Sequence, residues 1–140
     1  NMKTYETLNE SNKLFVKQFH NGISRILILW IISQQKIHGY GISIELDKFF
    51  KVFREDENFS EKSKKFNPAK IYPILKKMEE NGLIKSEEGV INNKNVKFYE
   101  ITNEGTKFLD SIKVRWVSLL HDDLWVEFFN DMTGYDKQGG

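Results

Sequence analysis

A capped helix that passes straight into a two-stranded hairpin leaves a chain of 140 residues few folds to choose from, and this chain carries that signal between Asn67 and Thr102. Asn67 has the side chain of a good N-cap. Pro68 suits the first helical position, where its missing N–H would lack a partner anyway. Ile71, Ile74, Leu75 and Met78 form an inner stripe at helical spacing, and Gly82 stops the helix in the left-handed cap conformation with Leu83 and Ile84 closing over the last turn. Pro73 forfeits a helical hydrogen bond, so the helix either starts later, near Ala69 or Lys70, or bends there. The runs Leu83–Glu87 and Val96–Ile101 flank the turn-rich tip "NNKN" and predict a small antiparallel hairpin. Thr102 then reads as the N-cap of a last helix, with Gly105 tolerated in its first turn.

Upstream, residues 5–20 are weakly amphipathic, with Leu8, Phe15 and Phe19 near helical spacing and Gly22 as an interruption. From Ile23 the pattern strengthens: Ile23, Ile26, Leu27, Trp30 and Ile31 make one stripe, while Ile28, Leu29 and Ile32 cover the other sides. A helix apolar all round is buried on more than one side, and in so small a domain one of those sides is expected to meet a second subunit. "KIHGYG" reads as a turn, with Gly39 and Gly41 in conformations closed to other residues. Ile42, Leu46, Phe49, Phe50 and Phe53 predict a second helix, and the charged stretch 54–66 an exposed connection or frayed helix end. The last helix places Leu109, Ile112, Trp116 and Leu119 on one face and Val117, Leu120, Leu124 and Phe128 on an adjacent one. The order predicts a mainly α (α+β) chain: a winged helix-turn-helix with a two-stranded β wing, an N-terminal helical extension and a long C-terminal helix. Residues 5–103 would form the winged-helix domain, 104–130 the C-terminal helix and 131–140 a disordered tail.

Charge is nearly balanced at +1, so its distribution matters more than its total. From Lys62 to Lys77 the chain has Lys62, Lys64, Lys65, Lys70, Lys76 and Lys77 and no acid, and the hairpin tip from Val90 to Lys97 adds Lys94 and Lys97, again without one. The last helix and tail lean the other way, with Asp110, Asp122, Asp123, Glu127, Asp131 and Asp136. A basic helix face beside a basic loop tip is the electrostatic footprint of a surface for duplex DNA, although a lysine-rich face is also a common solubilising feature. With the inner stripe buried, Ala69, Lys70, Pro73, Lys76 and Lys77 point outward. Small or flat residues let a helix approach base edges, and lysines beside them reach phosphates or guanine acceptors.

"HGYGISIEL", "KIYPILKKMEENGLI" and "VKFYEITNEG" resemble the PadR family of winged-helix transcriptional regulators. The family pattern falls on Gly39-Tyr40, on Tyr72-Pro73 with Leu75 and Gly82-Leu83-Ile84, and on Tyr99 with Ile101, Thr102 and Gly105, over roughly Phe19 to Leu109. The resemblance implies a homodimeric DNA-binding repressor, with the Tyr-Pro helix in the major groove and the wing at the minor groove or backbone. It makes the last helix the main dimerisation element, helped by the first. The candidate DNA-binding residues are therefore Lys64, Lys65, Asn67, Lys70, Tyr72, Lys76, Lys77, Asn93, Lys94 and Lys97. The candidate dimer interface is Phe15, Phe19, Ile23, Trp30, Leu109, Ile112, Trp116, Leu119, Leu120, Leu124 and Phe128. Two departures stand out: the segment between the Gly-Tyr turn and the Tyr-Pro helix is longer than the family pattern, and the C-terminal part is one helix rather than a larger helical domain.

Some family members bind flat aromatic compounds between subunits. The resemblance makes Trp30, Trp116 and Trp125 candidate effector contacts for a hydrophobic or aromatic small molecule, whereas the residues alone read first as dimer packing, the commoner role of aromatics on a buried helical stripe. His20, His38 and His121 show no metal-ligand spacing, and Asp122, Asp123 and Glu127 read as a solvated face rather than a metal site. No cofactor is expected. With no cysteine, no phosphate loop and no paired catalytic acids, no enzyme is expected. The missing cysteines fit a reducing cytoplasm, and the longest apolar run, Ile26 to Ile32, falls far short of the roughly 20 residues that span a bilayer. The expected function is a sequence-specific DNA-binding repressor acting as a homodimer on a pseudo-palindromic operator. The alternatives are a winged helix for protein–protein contact, or a ligand-binding helical dimer without specific DNA binding.

Overall fold

The computed structural model describes residues 2–54 and 67–135. The element order is α1 (Met2–Gln34), β1 (Ile37–His38), α2 (Gly39–Arg54), α3 (Pro68–Glu80), β2 (Ile84–Ile91), β3 (Lys94–Ile101), α4 (Asn103–His121) and α5 (Asp123–Thr133). The chain divides into two compact units, Asn1–Thr106 and Lys107–Gly140.

In the first unit the strands form an antiparallel sheet in the order β1-β3-β2, with Ile37 opposite Tyr99 and Ile84 opposite Ile101. The two-stranded wing expected from the sequence is there. The third strand was not foreseen, because two residues carry no periodicity and exist as a strand only through pairing with β3. The hairpin is longer than predicted and its loop tighter: β2 and β3 are joined by Asn92 and Asn93 alone, at φ of 51° and 64°. A two-residue hairpin loop with both residues left-handed matches the twist of its strands, and Asn tolerates that conformation better than other side chains.

The core gathers Ile28, Leu29, Ile31 and Ile32 of α1, Ile42, Leu46 and Phe50 of α2, Ile71, Leu75 and Met78 of α3, and Ile37, Ile84 and Tyr99 from the strands. Each fully buried aliphatic side chain contributes about 2 kcal/mol. α1 packs on α2 and β3, α2 on α3, and α3 on β2. The expected stripe of α1 is rotated: Ile28, Leu29 and Ile32 are the most buried, Ile23, Ile26 and Leu27 are half-buried, and Trp30 is exposed. A helix apolar all round does not declare which side its neighbours take. Gly22 does not interrupt α1, since one helical glycine costs only about 1 kcal/mol relative to alanine.

The "KIHGYG" turn is instead a strand running directly into a helix, and neither Gly39 nor Gly41 has positive φ. These glycines serve close approach. A Cβ on Gly39 would lie 2.8 Å from Cε1 of Tyr72, and one on Gly41 2.9 Å from Cγ1 of Ile37. Gly105 is likewise required rather than tolerated: its Cβ would stand 2.0 Å from the carbonyl oxygen of Leu83. The contact joins the end of α3 to the start of α4. Thr102 fastens the same junction, donating to the carbonyl of Gly82 at 2.6 Å and accepting from the N–H of Gly105 at 3.0 Å.

In the second unit, the single helix expected to run on to residue 130 is two. Asp122 ends the run in an extended conformation and caps α5 by accepting from the N–H groups of Leu124 and Trp125, both at 3.1 Å. α5 continues through Asp131 and Met132, into the expected tail, and ends at Thr133 with Gly134 left-handed. No residue of α5 is buried within the chain.

Candidate nucleic-acid interface

α3 is set by its two ends. Oδ1 of Asn67 accepts from the N–H of Ala69 at 2.9 Å, and Pro68 occupies the first turn. At the far end the N–H of Leu83 reaches the carbonyl of Met78 and that of Gly82 reaches Glu79, both at 3.0 Å, around Gly82 at φ 76°. This pair of bonds is the Schellman closure. The helix starts at Pro68, not later, and Pro73 lies inside it. Pro73 leaves the carbonyl of Ala69 without its helical donor.

Ile71, Leu75 and Met78 face the core, so Ala69, Lys70, Tyr72, Pro73, Lys76 and Lys77 are exposed. Across from them the wing presents Asn93, Lys94 and Lys97, all exposed. Lys64 and Lys65 lie outside the described residues. Among the described residues, most lysines away from this face have partners, although Lys17 of α1 has none. Lys36 pairs with Glu87, Lys48 with Glu45 at 2.9 Å, Lys85 with Glu100 at 3.2 Å and Lys113 with Asp110 at 3.4 Å. Lys70, Lys76, Lys77, Lys94 and Lys97 form no ion pair there.

Between α3, the β1–α2 junction and β3 lies an open groove of about 710 Å³, lined by Tyr40, Tyr72, Lys76, Glu79, Lys97 and Tyr99 among others. Tyr72 crosses one side with its ring against Gly39, and Tyr99 forms part of the floor, 5% exposed. Burial raises the pKa of the Tyr99 phenol, helped by the charge of Glu79 and by Tyr72, so it stays a neutral hydroxyl. Glu79 is held by a 2.5 Å hydrogen bond from the hydroxyl of Ser86. Tyr40, Glu79 and Tyr99 were not among the expected contacts. Their approach depends on β3 packing beside α3, and only the family motifs marked Tyr40 and Tyr99 in the sequence.

The expected dimer-interface residues fall into three sets. Phe15 lies in α1. Phe19, Trp30, Trp116, Leu120, Leu124 and Phe128 are exposed, between 41% and 74%, and Ile23, Ile112 and Leu119 are half-buried. Leu109 is already buried within its own chain. Of the tryptophans, Trp30 stands edge-on to Phe49, and Trp125 clusters with Phe128 and Phe129 at ring-centre distances of 5.9 and 5.8 Å. The histidines have local roles: His20 stacks on Phe50, His38 packs beside Phe98, and His121 contacts the carbonyl of Val117 at 2.8 Å. Among the described residues no three His, Asp or Glu side chains group as metal ligands, and no helix is long and apolar enough to cross a membrane.

A helix with an unpaired basic face, followed by a hairpin with a basic tip and preceded by a supporting helix, defines a winged-helix protein of the nucleic-acid-binding type. The family model of the PadR-like transcriptional regulators matches residues 28–111, more than half of the chain, and the chain belongs to that family. It is a DNA-binding transcriptional regulator, not an enzyme. A PadR-like regulator from Bacillus cereus is similar at 25% identity over 88% of this chain and 99% of its own, with a TM-score of 0.57. A PadR family regulator from Clostridium difficile is 26% identical over 79% of this chain and 97% of its own, with a TM-score of 0.50. One from Eggerthella lenta shares the fold at 18% identity, covering 96% of this chain and 99% of its own with a TM-score of 0.59. No curated protein sequence matches the chain.

Proposed function

We propose that the protein is a cytoplasmic repressor that binds a pseudo-palindromic operator as a homodimer. α3 enters the major groove, the tip of the wing follows the neighbouring backbone, and twofold symmetry sets the two copies of α3 about 34–36 Å apart. The observation that carries this reading is the set of lysines without ion-pair partners on α3 and the wing, beside acids and lysines that pair elsewhere. Cations held out of internal pairs are ready to displace counterions from phosphate. Asn67, Lys70, Tyr72, Lys76, Lys77, Asn93, Lys94 and Lys97 are the proposed contacts. The exposed apolar residues of α4 and α5 support self-association, and the same aromatic surface supports release by a flat aromatic effector at Trp116 or Trp125.

The test is fluorescence anisotropy of a labelled duplex from upstream of the protein's own gene, beside a scrambled duplex, across a salt series. Tight, selective binding that falls steeply with salt is expected. Weak binding equal on both duplexes, and on duplexes enriched from a random pool, would favour a winged helix that serves protein contact instead.

A further inference from the structure

α3 offers a narrow chemical vocabulary. Its sequence, PAKIYPILKKMEE, contains no Arg, Asn, Gln, Ser or Thr. The side chains that grip adenine in a two-bonded fashion, and the guanidinium fork that grips guanine, are therefore missing from the helix. Lysine remains as a cationic donor to guanine O6 and N7.

Helical steps of about 100° per residue place Ala69, Pro73, Lys76 and Glu80 along the middle of the outward face, opposite Ile71, Leu75 and Met78. Lys70 and Lys77 flank that line on one side and Tyr72 on the other. All of these are exposed. The middle of the face, toward the N-terminal end, is thus a methyl group and a pyrrolidine ring.

Pro73 makes this more than a gap in the polar pattern. A proline inside a helix costs about 3 kcal/mol, and this ring lies on the solvent side, away from the core that might have offset the cost. What it provides is a rigid apolar surface one turn beyond Ala69. The only apolar group that a base pair displays in the major groove is the 5-methyl of thymine.

We propose that Ala69 and Pro73 form a thymine-methyl reader at the centre of the recognition face, with Lys70 and Lys77 confined to guanine acceptors and phosphates. This rests on the DNA-binding reading above and assigns its specificity. Each half-site then holds one or two thymines whose methyl groups contribute to affinity, read from the front half of α3.

The test begins with an operator enriched from random duplexes. Each thymine is replaced singly by deoxyuridine, which removes the methyl and keeps the base pairing. Affinity is expected to fall roughly fourfold at one or two positions per half-site, the effect of burying one methyl-sized group. Pro73→Gly restores the helical N–H, leaves no apolar side chain at 73 and suits a helix better than proline does, and circular dichroism checks the fold. This variant, or Ala69→Gly, is expected to bind the thymine and deoxyuridine duplexes alike at one of those positions. Binding that ignores every thymine-to-deoxyuridine swap would overturn the reader while leaving DNA binding intact. A methyl effect that persists in both variants would overturn its assignment to these residues. A protein that enriches no duplex at all would overturn the DNA-binding reading and this inference with it.

Discussion

α3 and α5 are both short amphipathic helices with an Asx cap at the front, yet they use their apolar residues in opposite ways. α3 sinks Ile71, Leu75 and Met78 into the core of its own chain and turns lysines outward. α5 buries none of its residues: Leu124 is 74% exposed, Phe128 50% and Met132 69%. Helix stability in proteins comes chiefly from packing an apolar face. The first helix is complete within one chain and has its polar face free for a ligand. The second has its apolar face still open to solvent, a patch of the kind that marks association sites. The comparison separates a helix that buries its apolar face within its own chain from one that leaves that face exposed.

The largest effect is expected from breaking the region around α3 at its tightest joint. Gly105→Ala would force a methyl onto the carbonyl of Leu83, where backbone rather than a flexible side chain must yield. A loss of about 3 kcal/mol or more is expected in chemical denaturation, because the ends of α3 and β3 and the start of α4 all shift. A stability equal to wild type would mean that this junction is looser than the geometry indicates.

Charging the open face tests the other region. Leu124→Glu with Phe128→Glu is expected to give a monomer by sedimentation and to weaken binding to a palindromic operator by about 100-fold, the gain that linked sites supply. The sharpening control is the fold of the first unit, whose near-ultraviolet circular dichroism should persist. A dimer that survives both substitutions would place self-association elsewhere, with Phe19 and Trp30 of α1 next in line.

On the polar side, Lys70→Ala and Lys94→Ala should each weaken DNA binding about fivefold at moderate salt and reduce the salt slope by about one, with no change in melting temperature. Unchanged affinity in both would remove this face as the site of DNA contact.

The smallest effect concerns pH. His20 stacks on Phe50, and its pKa is lowered by burial first and by Lys70 second, against an opposing pull from Asp47. The folded protein therefore takes up its proton at lower pH than the unfolded chain. Stability contributed by neutral His20 is full above the ordinary value near 6.5 and is lost as pH falls below it. Urea midpoints at pH 7.5 and 5.5 should differ less in His20→Gln than in the wild type, and Lys70→Ala should raise the His20 pKa in an NMR titration.

The sequence by itself determined what is local. Asn67, Pro68 and Gly82 bound α3 because caps act on N–H and C=O groups within one turn, and Thr102 starts α4 for the same reason. The paired asparagines place the wing tip because the chain reverses there through two residues with positive φ. The basic face could be read because lysines without nearby acids are countable along the chain. Asp122 marked the break between α4 and α5 in plain view, but its cap signal sat among acids that read as a solvated face.

Only the tertiary structure decided the rest. β1 has no existence apart from β3. The need for glycine at 39, 41 and 105 lies in Tyr72, Ile37 and Leu83, the first and last of these far away in sequence. The buried side of α1 was settled by where α2 and β3 pack, since a helix apolar on every side suits several arrangements. Tyr99 came to the floor of a groove because the sheet lies beside α3. Capping and turn formation depend on neighbours a few residues away, whereas packing depends on which surfaces the whole chain brings together.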